Sequence, residues 1–368
     1  MAFVLTIVMI PMYIAVIFIP YWTRKTESFG VSIPESAFQH PRFKKMRKQY
    51  VLMTSILAIV VSIVFLISSG YSEETASILY PLLIILFIIG SFFIYIPFHQ
   101  LSKEVKQENK SWFKKQQIVA VDTRFRGEKL THSNLWFIIG FAISVATIIL
   151  TLIFYDRLPN QIPMQYNFKG EVTNWTEKTY RSAFLFPIIQ IYLTLLFVFV
   201  NTVISKAKQQ IDVANPNESI RKNMIFRKRW SRFTIVMGIS TVLLFTFVQL
   251  SLLFSFPSTI ISIVTFVFTI GVIGWAILLS ITTGQGGSRI RSKNSHQNES
   301  VTEEQILQHD DDQYWKLGIF YFNKNDPSIF IEKRFGIGWT NNWAHPLSWI
   351  IFGGIIFIAI AITWWATL

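Results

Sequence analysis

The sequence predicts an all-α membrane protein of about eight transmembrane helices, with both ends outside and a small cytoplasmic β-hairpin segment before the last helix. Three observations predict it. Hydrophobic residues make up 51% of the 368 and charged residues only 15%, a balance with too little polar surface for a chain dissolved in water. Eight uncharged stretches reach the ~20 residues needed to cross a hydrocarbon layer of ~30 Å. Lys and Arg sort between alternate connections instead of covering one face.

The first stretch, 2–22, is apolar from its start, and Arg24 and Lys25 follow it. A cleaved secretory signal shows the reverse charge order and a small-residue cleavage site, which Tyr21-Trp22-Thr23 is not, so a retained helix with its N-terminus outside is expected. The next stretches are 50–69 and 78–98, joined by a connection carrying Glu73, Glu74 and no base. The fourth, 135–155, follows Ser133 and Asn134, residues suited to capping a helix. The fifth is 183–204. Ser255-Phe256-Pro257-Ser258 makes a tight turn between 233–254 and 259–281, and 347–368 is the eighth. None contains Lys, Arg, Asp or Glu, and an unpaired charge at that depth is costly.

Connections 23–49, 99–134, 205–232 and 282–346 hold 7, 8, 8 and 7 of the 34 Lys and Arg residues. The remaining four, Arg157, Lys169, Lys178 and Arg181, lie between the fourth and fifth stretches. Positive charge on the cytoplasmic side then gives the orientation. Trp22, Trp136, Trp230, Trp349, Trp364 and Trp365 fall near the expected interfaces. A net charge of +13 on a soluble protein would raise nucleic acid as a partner; sorted between loops, it points to membrane lipids and to no nucleic acid. The expected organisation is 1–134, a three-helix membrane region; 135–204, helix, outer loop and helix; 205–281, a helical hairpin region; 282–312, a polar linker with a flexible Gly/Ser/Asn-rich stretch at 284–304; and 313–368, the cytoplasmic hairpin with the last helix.

Chemistry-bearing motifs are scarce. Cysteine is absent, which excludes disulfides, thiolate zinc sites and a cysteine nucleophile. Six histidines are scattered without a His-Glu-x-x-His pattern, and there is no Gly-x-Ser-x-Gly elbow or phosphate-loop lysine. Gly336-Ile337-Gly338 lacks a third glycine and a βαβ setting. No catalytic residue, metal site or cofactor is expected, and no enzyme. The acidic run Asp310-Asp311-Asp312 beside His309 has groups that suit a cation, but a solvated stretch before a folded segment is the expectation.

Within the spans, Gln190, Asn201 and Gln249 are the only amide side chains. Such groups either join helices or line a path. Pro187 either bends the fifth span or frees carbonyls, as transporters exploit. The lack of intramembrane charge or histidine weighs against proton-driven transport. In the outer loop, 155–182, Pro159 and Pro163 stiffen the chain, Gly170 permits a left-handed turn, and Ile162, Met164, Tyr166 and Phe168 alternate as in a short strand. A lid over the helix ends and a recognition surface for an extracellular ligand are both open readings. Asn174-Trp175-Thr176 is formally a glycosylation acceptor, with meaning only in a secretory pathway.

The pattern Leu158-Pro159-x-x-Ile162-Pro163-x-x-Tyr166-Asn167-x-x-Gly170-x-x-x-x-Trp175-x-x-Lys178, between the fourth and fifth spans, resembles the outer-loop domain of bacterial SdpI-like membrane proteins. That resemblance implies a multi-pass protein of the bacterial cytoplasmic membrane, giving immunity to a secreted peptide toxin and capturing a cytoplasmic regulator at the membrane. It nominates Pro159, Pro163, Asn167, Gly170, Trp175 and Lys178 for ligand or partner binding. Gln165 departs from the histidine common there, so no metal or proton role is implied for the loop.

A second run, Trp315-Lys316-x-Gly318-x-Phe320-Tyr321-x-Asn323-x-x-Asp326-Pro327-x-x-Phe330 followed by Lys333-Arg334-x-Gly336-x-Gly338-Trp339-Thr340, resembles another uncharacterised bacterial domain that accompanies the first. It nominates Trp315, Lys316, Asn323, Asp326, Pro327, Arg334 and Trp339. From the residues, two strands at 317–322 and 328–332 are expected around the turn at 323–327. Lys333 and Arg334 with Trp339 and Trp343 read as positive-inside residues at a helix start. Phe29-Gly30-Val31-x-Ile33-Pro34-Glu35 also resembles these relatives. The expected function is immunity or signal transduction toward envelope-acting peptides, with an extracellular peptide and a cytoplasmic regulator as partners. The alternative is a lipid or small-molecule transporter or flippase.

Overall fold

The computed structural model describes residues 2–68, 73–109, 112, 129–166, 172–210, 216–291 and 311–367. Its helices are α1 (Ala2–Ile17), α2 (Ile19–Trp22), α3 (Pro41–Ser68), α4 (Glu73–Glu108), α5 (Ile138–Ile153), α6 (Tyr180–Ala183), α7 (Leu185–Lys206), α8 (Pro216–Phe254), α9 (Ser258–Thr283) and α10 (Pro346–Thr367). Among the described residues, four antiparallel strand pairs lie between them: β1 (Glu27–Ser28) with β2 (Val31–Ser32), β3 (Gln161–Tyr166) with β4 (Val172–Glu177), β5 (Trp315–Lys316) with β6 (Phe320–Tyr321), and β7 (Phe330–Glu332) with β8 (Trp339–Asn341).

Among the described residues, seven helices are long and apolar enough to cross a membrane, including Pro41–Ser68, Asn134–Ile153 and Leu185–Lys206. The expected first span is divided at Phe18 into α1 and the short α2. Pro20 has no N–H for the carbonyl of Val16 four residues back, and the Tyr50 hydroxyl, 3.4 Å away, donates to that carbonyl instead. Three helices run past their apolar stretches into the basic connections, because the polar extensions have a buried face of their own. On α3, Phe43, Met46, Arg47 and Tyr50 are buried while Arg42, Lys44, Lys45 and Lys48 are exposed. Trp136, Trp349 and Trp364 are more than half exposed, whereas Trp22 is buried.

Helices α1, α3 and α4 share an apolar core of Met9, Tyr13, Ile17, Ala58, Val61, Phe65, Leu83 and Phe87. Helices α5, α7 and α8 pack differently, through small and polar residues. Ser144, Thr147 and Thr151 of α5 are buried, each hydroxyl bonding back four residues within its helix, and Thr147 meets Thr246 of α8 at 3.1 Å. Lipid supplies no hydrophobic force between helices, so close approach and such hydrogen bonds do the joining. The outer faces of α9 and α10 are open and apolar, with Val267, Phe357 and Ile360 more than 60% exposed.

The basic connections gather at one end of the bundle. Lys208 bridges to Ile331, Gln285 bonds Gly338, Ser288 bonds the Thr23 carbonyl and Arg334 bonds that of Gly30. The β3–β4 hairpin sits at the other end, on a core of Leu158, Ile162, Ala183, Leu252 and Leu253.

Two expectations need correction. Strands at 317–322 and 328–332 do not pair with each other. Leu317 and Gly318, both at positive φ (52° and 69°), fold β5 onto β6, while β7 pairs onward with β8. Asp326 accepts from Ser328 N at 2.9 Å and Asn342 pins the carbonyls of Asn323 and Asp326 at 2.8 and 3.1 Å, so 323–327 joins two hairpins instead of closing one. The supposed linker is folded at 284–291: Gly284, Gly286 and Gly287 take positive φ and Gln285 is buried. Its remainder, 292–310, lies outside the described residues.

Candidate functional site

Two tight turns meet at the basic end. Phe29 and Gly30 both take positive φ (46° and 75°), the geometry that folds β1 onto β2. The Phe29-Gly30 turn lies back to back with the Leu317-Gly318 turn: a Cβ on Gly30 would stand 2.5 Å from the Gly318 carbonyl oxygen, and one on Gly318 would stand 2.7 Å from the Tyr95 hydroxyl. From α4, the Tyr95 hydroxyl lies 3.0 Å from the Phe29 carbonyl and 2.8 Å from that of Leu317, and His99 Nδ1 lies 2.8 Å from Phe29 O. Phe335 seals the contact, its ring 4.5 Å from Tyr95 and 5.8 Å from Phe29. Two stretches far apart in sequence therefore form one structural unit on α4.

Buried charge surrounds this unit. Arg334, only 1% exposed, pairs with both Asp311 and Asp312, donates to Gly30 O at 3.2 Å, and lies 5.0 Å from the Trp315 ring. Asp312 also takes Lys106 Nζ at 2.6 Å and Ser32 N at 3.2 Å. Burial alone would raise the Asp312 carboxyl, but Arg334 and Lys106 hold it below the ordinary carboxylate range. The same two aspartates keep the Arg334 guanidinium above its usual value against the effect of burial. Asp311 and Asp312 are thus ion-paired, which corrects the solvated reading; His309 and Asp310 lie outside the described residues. Arg334, two residues past β7, is an internal ion-pair partner and not a surface cation.

A second group adjoins the first. Glu332, fully buried, accepts from Arg227 Nη2 at 2.9 Å and Asn223 Nδ2 at 2.8 Å, and pairs with Arg24. Arg227, also fully buried, reaches the carbonyls of Ile204 and Ala207 at 2.6 and 2.9 Å. It therefore closes the C-terminal end of α7, where carbonyls lack in-helix donors. Arg24 bonds Gln210 and stands 3.9 Å from Glu27 Oε1. Glu27 is buried, and its Oε2 has no hydrogen-bond partner among the described residues. Burial pushes its carboxyl up to about 7, against the pull of Arg24 and Arg334. Room for Arg24 comes from Gly286, where a Cβ would stand 2.6 Å from the guanidinium Nε. Gln285 exchanges two hydrogen bonds with the Gly338 backbone, at 3.0 and 2.8 Å.

At the other end, Trp175 is 51% exposed on β4, and Pro159, ahead of β3, is exposed too. Pro163 is buried and opposite Trp175 in register. Lys178 donates to the Asp156 and Leu158 carbonyls at 3.2 and 3.1 Å and lies 5.0 Å from the Tyr155 ring. It ties the base of the hairpin. Thr179 and Ser182 then form a reciprocal capping box that starts α6. Asn167 and Gly170 lie outside the described residues.

Between the two ends, the three amides are buried and donate between helices. Gln190 Nε2 donates to Thr246 at 2.9 Å, Asn201 Nδ2 to Asn134 at 2.7 Å, and Gln249 Nε2 to Thr151 at 3.0 Å and to Ala183 O at 3.1 Å. Pro187 stands in the first turn of α7, after the break at Phe184, and does not bend the span interior.

Of the C-terminal residues singled out, Trp315 is buried and donates to Asp311 at 3.2 Å, Asp326 takes Lys208 at 2.6 Å and Tyr321 at 2.9 Å, and Asn323 bonds Tyr321 and Asn342. Trp339 stands 5.3 Å from Phe226. Lys316 and Pro327 are exposed. Sequence reasoning missed Arg24, Glu27, Tyr95, His99, Asn223, Arg227, Gln285 and Glu332. One signal was available on α8, where Ile220, Asn223, Arg227 and Ser231 recur at helical spacing on a buried face.

Two stretches match known family models. Residues 142–191 match a domain of unknown function (DUF1648), spanning most of α5, the hairpin and the start of α7. Residues 324–349 match a family of unknown function (DUF5808), spanning β7, β8 and the start of α10. No curated protein and no solved structure matches the chain.

Proposed function

We propose that this multi-pass membrane protein is an SdpI-like receptor or immunity protein of the bacterial cytoplasmic membrane, with no enzymatic step. With α1 and α2 counted as one crossing, the chain crosses eight times, both ends outside, and the hairpin end faces the envelope. Trp175 and the hairpin meet an envelope-acting peptide. The ion-paired unit at the basic end presents the state to a cytoplasmic regulator.

The observation that carries this reading is that α7 ends in both places. Its outer end follows directly from the hairpin through the Thr179–Ser182 cap and the Gln249 bond to Ala183 O. Its inner end is held by Arg227, which also binds Glu332. A displacement of the outer end changes the carbonyls that Arg227 contacts, the kind of packed element through which two sites couple. The transport alternative drew on Gln190, Asn201 and Gln249 as path-lining groups; their engagement between helices supports the receptor reading.

The test is survival of cells expressing the protein under envelope-acting peptides. Wild type is expected to protect and Trp175→Ala to lose protection at an equal membrane level. Equal survival with and without the protein across a peptide panel would overturn the proposal.

A further inference from the structure

An apolar groove of about 370 Å³ runs between α7 and α10, lined by Ile188, Leu195 and Phe199 on one side and Ile355, Ile358 and Ile362 on the other. The two helices touch sparingly across it, with the Tyr192 hydroxyl donating to the Ile355 carbonyl at 3.5 Å. From Ile188 to Phe199 the groove follows eleven residues of helix, about 17 Å. One leaflet of a bilayer is of similar depth, half of about 30 Å.

A cation lies beyond the lining of the groove, toward the hairpin end. Arg181, on α6, donates from Nε to the Trp365 carbonyl, its guanidinium 5.7 Å from the Trp365 ring. Trp365 is three residues beyond Ile362, about 4.5 Å along α10. No acidic side chain pairs with Arg181 among the described residues, and its Nη2 has no hydrogen-bond partner. Bases are rare at this end of the bundle, so Arg181 is not one of the many cations that set orientation. An unpaired guanidinium above an apolar slot of leaflet length complements an anion carrying an acyl chain. The spanning helix of a second copy fits less well, since 183–204 and 347–368 contain no Asp or Glu to meet that charge.

We propose that the α7–α10 groove binds one diacyl phospholipid, its phosphate on Arg181 and an acyl chain along the Ile188–Phe199 face of α7. The bound lipid fills the gap between α10 and the rest of the bundle. This proposal is independent of any peptide or regulator.

The experiment is native mass spectrometry of the full chain, purified in detergent, delipidated and incubated with dioleoyl phosphatidylglycerol. Wild type is expected to retain one lipid. Arg181→Gln loses a charge-assisted contact and is expected to bind about tenfold more weakly. Ile358→Trp, which fills the groove without touching Arg181, is expected to abolish retention at an unchanged unfolding temperature. Ile63→Trp, on an exposed lipid-facing position of α3, is expected to retain the lipid. Equal retention by wild type, Arg181→Gln and Ile358→Trp would overturn the site. So would efficient disulfide formation between copies of Ile358→Cys in membranes, a clean readout because the chain has no other cysteine.

Discussion

The side chain of Gln249 donates to the carbonyl of Ala183, the last residue of α6, at the break before α7 where a helix-end carbonyl lacks an in-helix donor. One helix thereby satisfies the end of another, and the bond joins α8 to the turn that leads into α7. Gln249→Leu is expected to destabilise the fold by about 0.6–1.7 kcal/mol, the range for interhelical hydrogen bonds in lipid. Denaturation of wild type and Gln249→Leu in mixed micelles measures the difference, and equal stability would contradict it.

Arg227 and Glu332 are expected to behave as a coupled pair. Removing Glu332 strands two arginines, Arg227 and Arg24, at about 3–5 kcal/mol; removing Arg227 leaves Glu332 to Arg24 and is expected to cost less, and replacing both with apolar residues costs less than the two single changes together. Arg227→Met, Glu332→Leu and the double variant, unfolded under the same conditions, give the coupling. Additive losses would show that the pair does not act as a unit.

Glu27 gives the fold a pH dependence. Its carboxyl lies near pH 7 in the folded protein, raised by burial from about 4.5, so the native chain holds this proton more tightly than the unfolded one. Stability from this group is complete below about pH 4.5 and is lost as pH rises through about 7. Wild type is expected to lose stability over that window relative to Glu27→Gln. Parallel stability curves for the two proteins would contradict the assignment.

Gly30 is expected to resist substitution more than any exposed turn glycine. Gly30→Ala must adopt a φ of 75° and place a methyl 2.5 Å from the Gly318 carbonyl, so the two turns must part. The backbone strain alone is about 1–3 kcal/mol. Faster proteolysis within 311–342 in Gly30→Ala than in wild type would report that separation.

The spans were legible because apolar runs and sorted charge are local signals. The division at Phe18 was harder to see: Pro20 marks it, but its cost depends on whether Tyr50 can reach the stranded Val16 carbonyl. The ionic unit was hidden for a related reason. Arg24, Arg227 and Arg334 look like positive-inside residues, and only the tertiary fold delivers Glu332 and the two aspartates to them. Trp175 and Lys178 stood out by resemblance, yet the structure separates their situations: Trp175 is free to meet a ligand, while Lys178 is occupied in holding the loop base.

The central claim is that the exposed Trp175 hairpin and the ion-paired unit around Arg334 lie on opposite faces of one membrane, joined by α7. Because the chain has no cysteine, single substitutions Trp175→Cys and Lys316→Cys report each face cleanly with a membrane-impermeant maleimide on intact cells. Labelling of Trp175→Cys before permeabilisation, and of Lys316→Cys only after it, is the predicted result. Labelling of both from the same side would contradict the account.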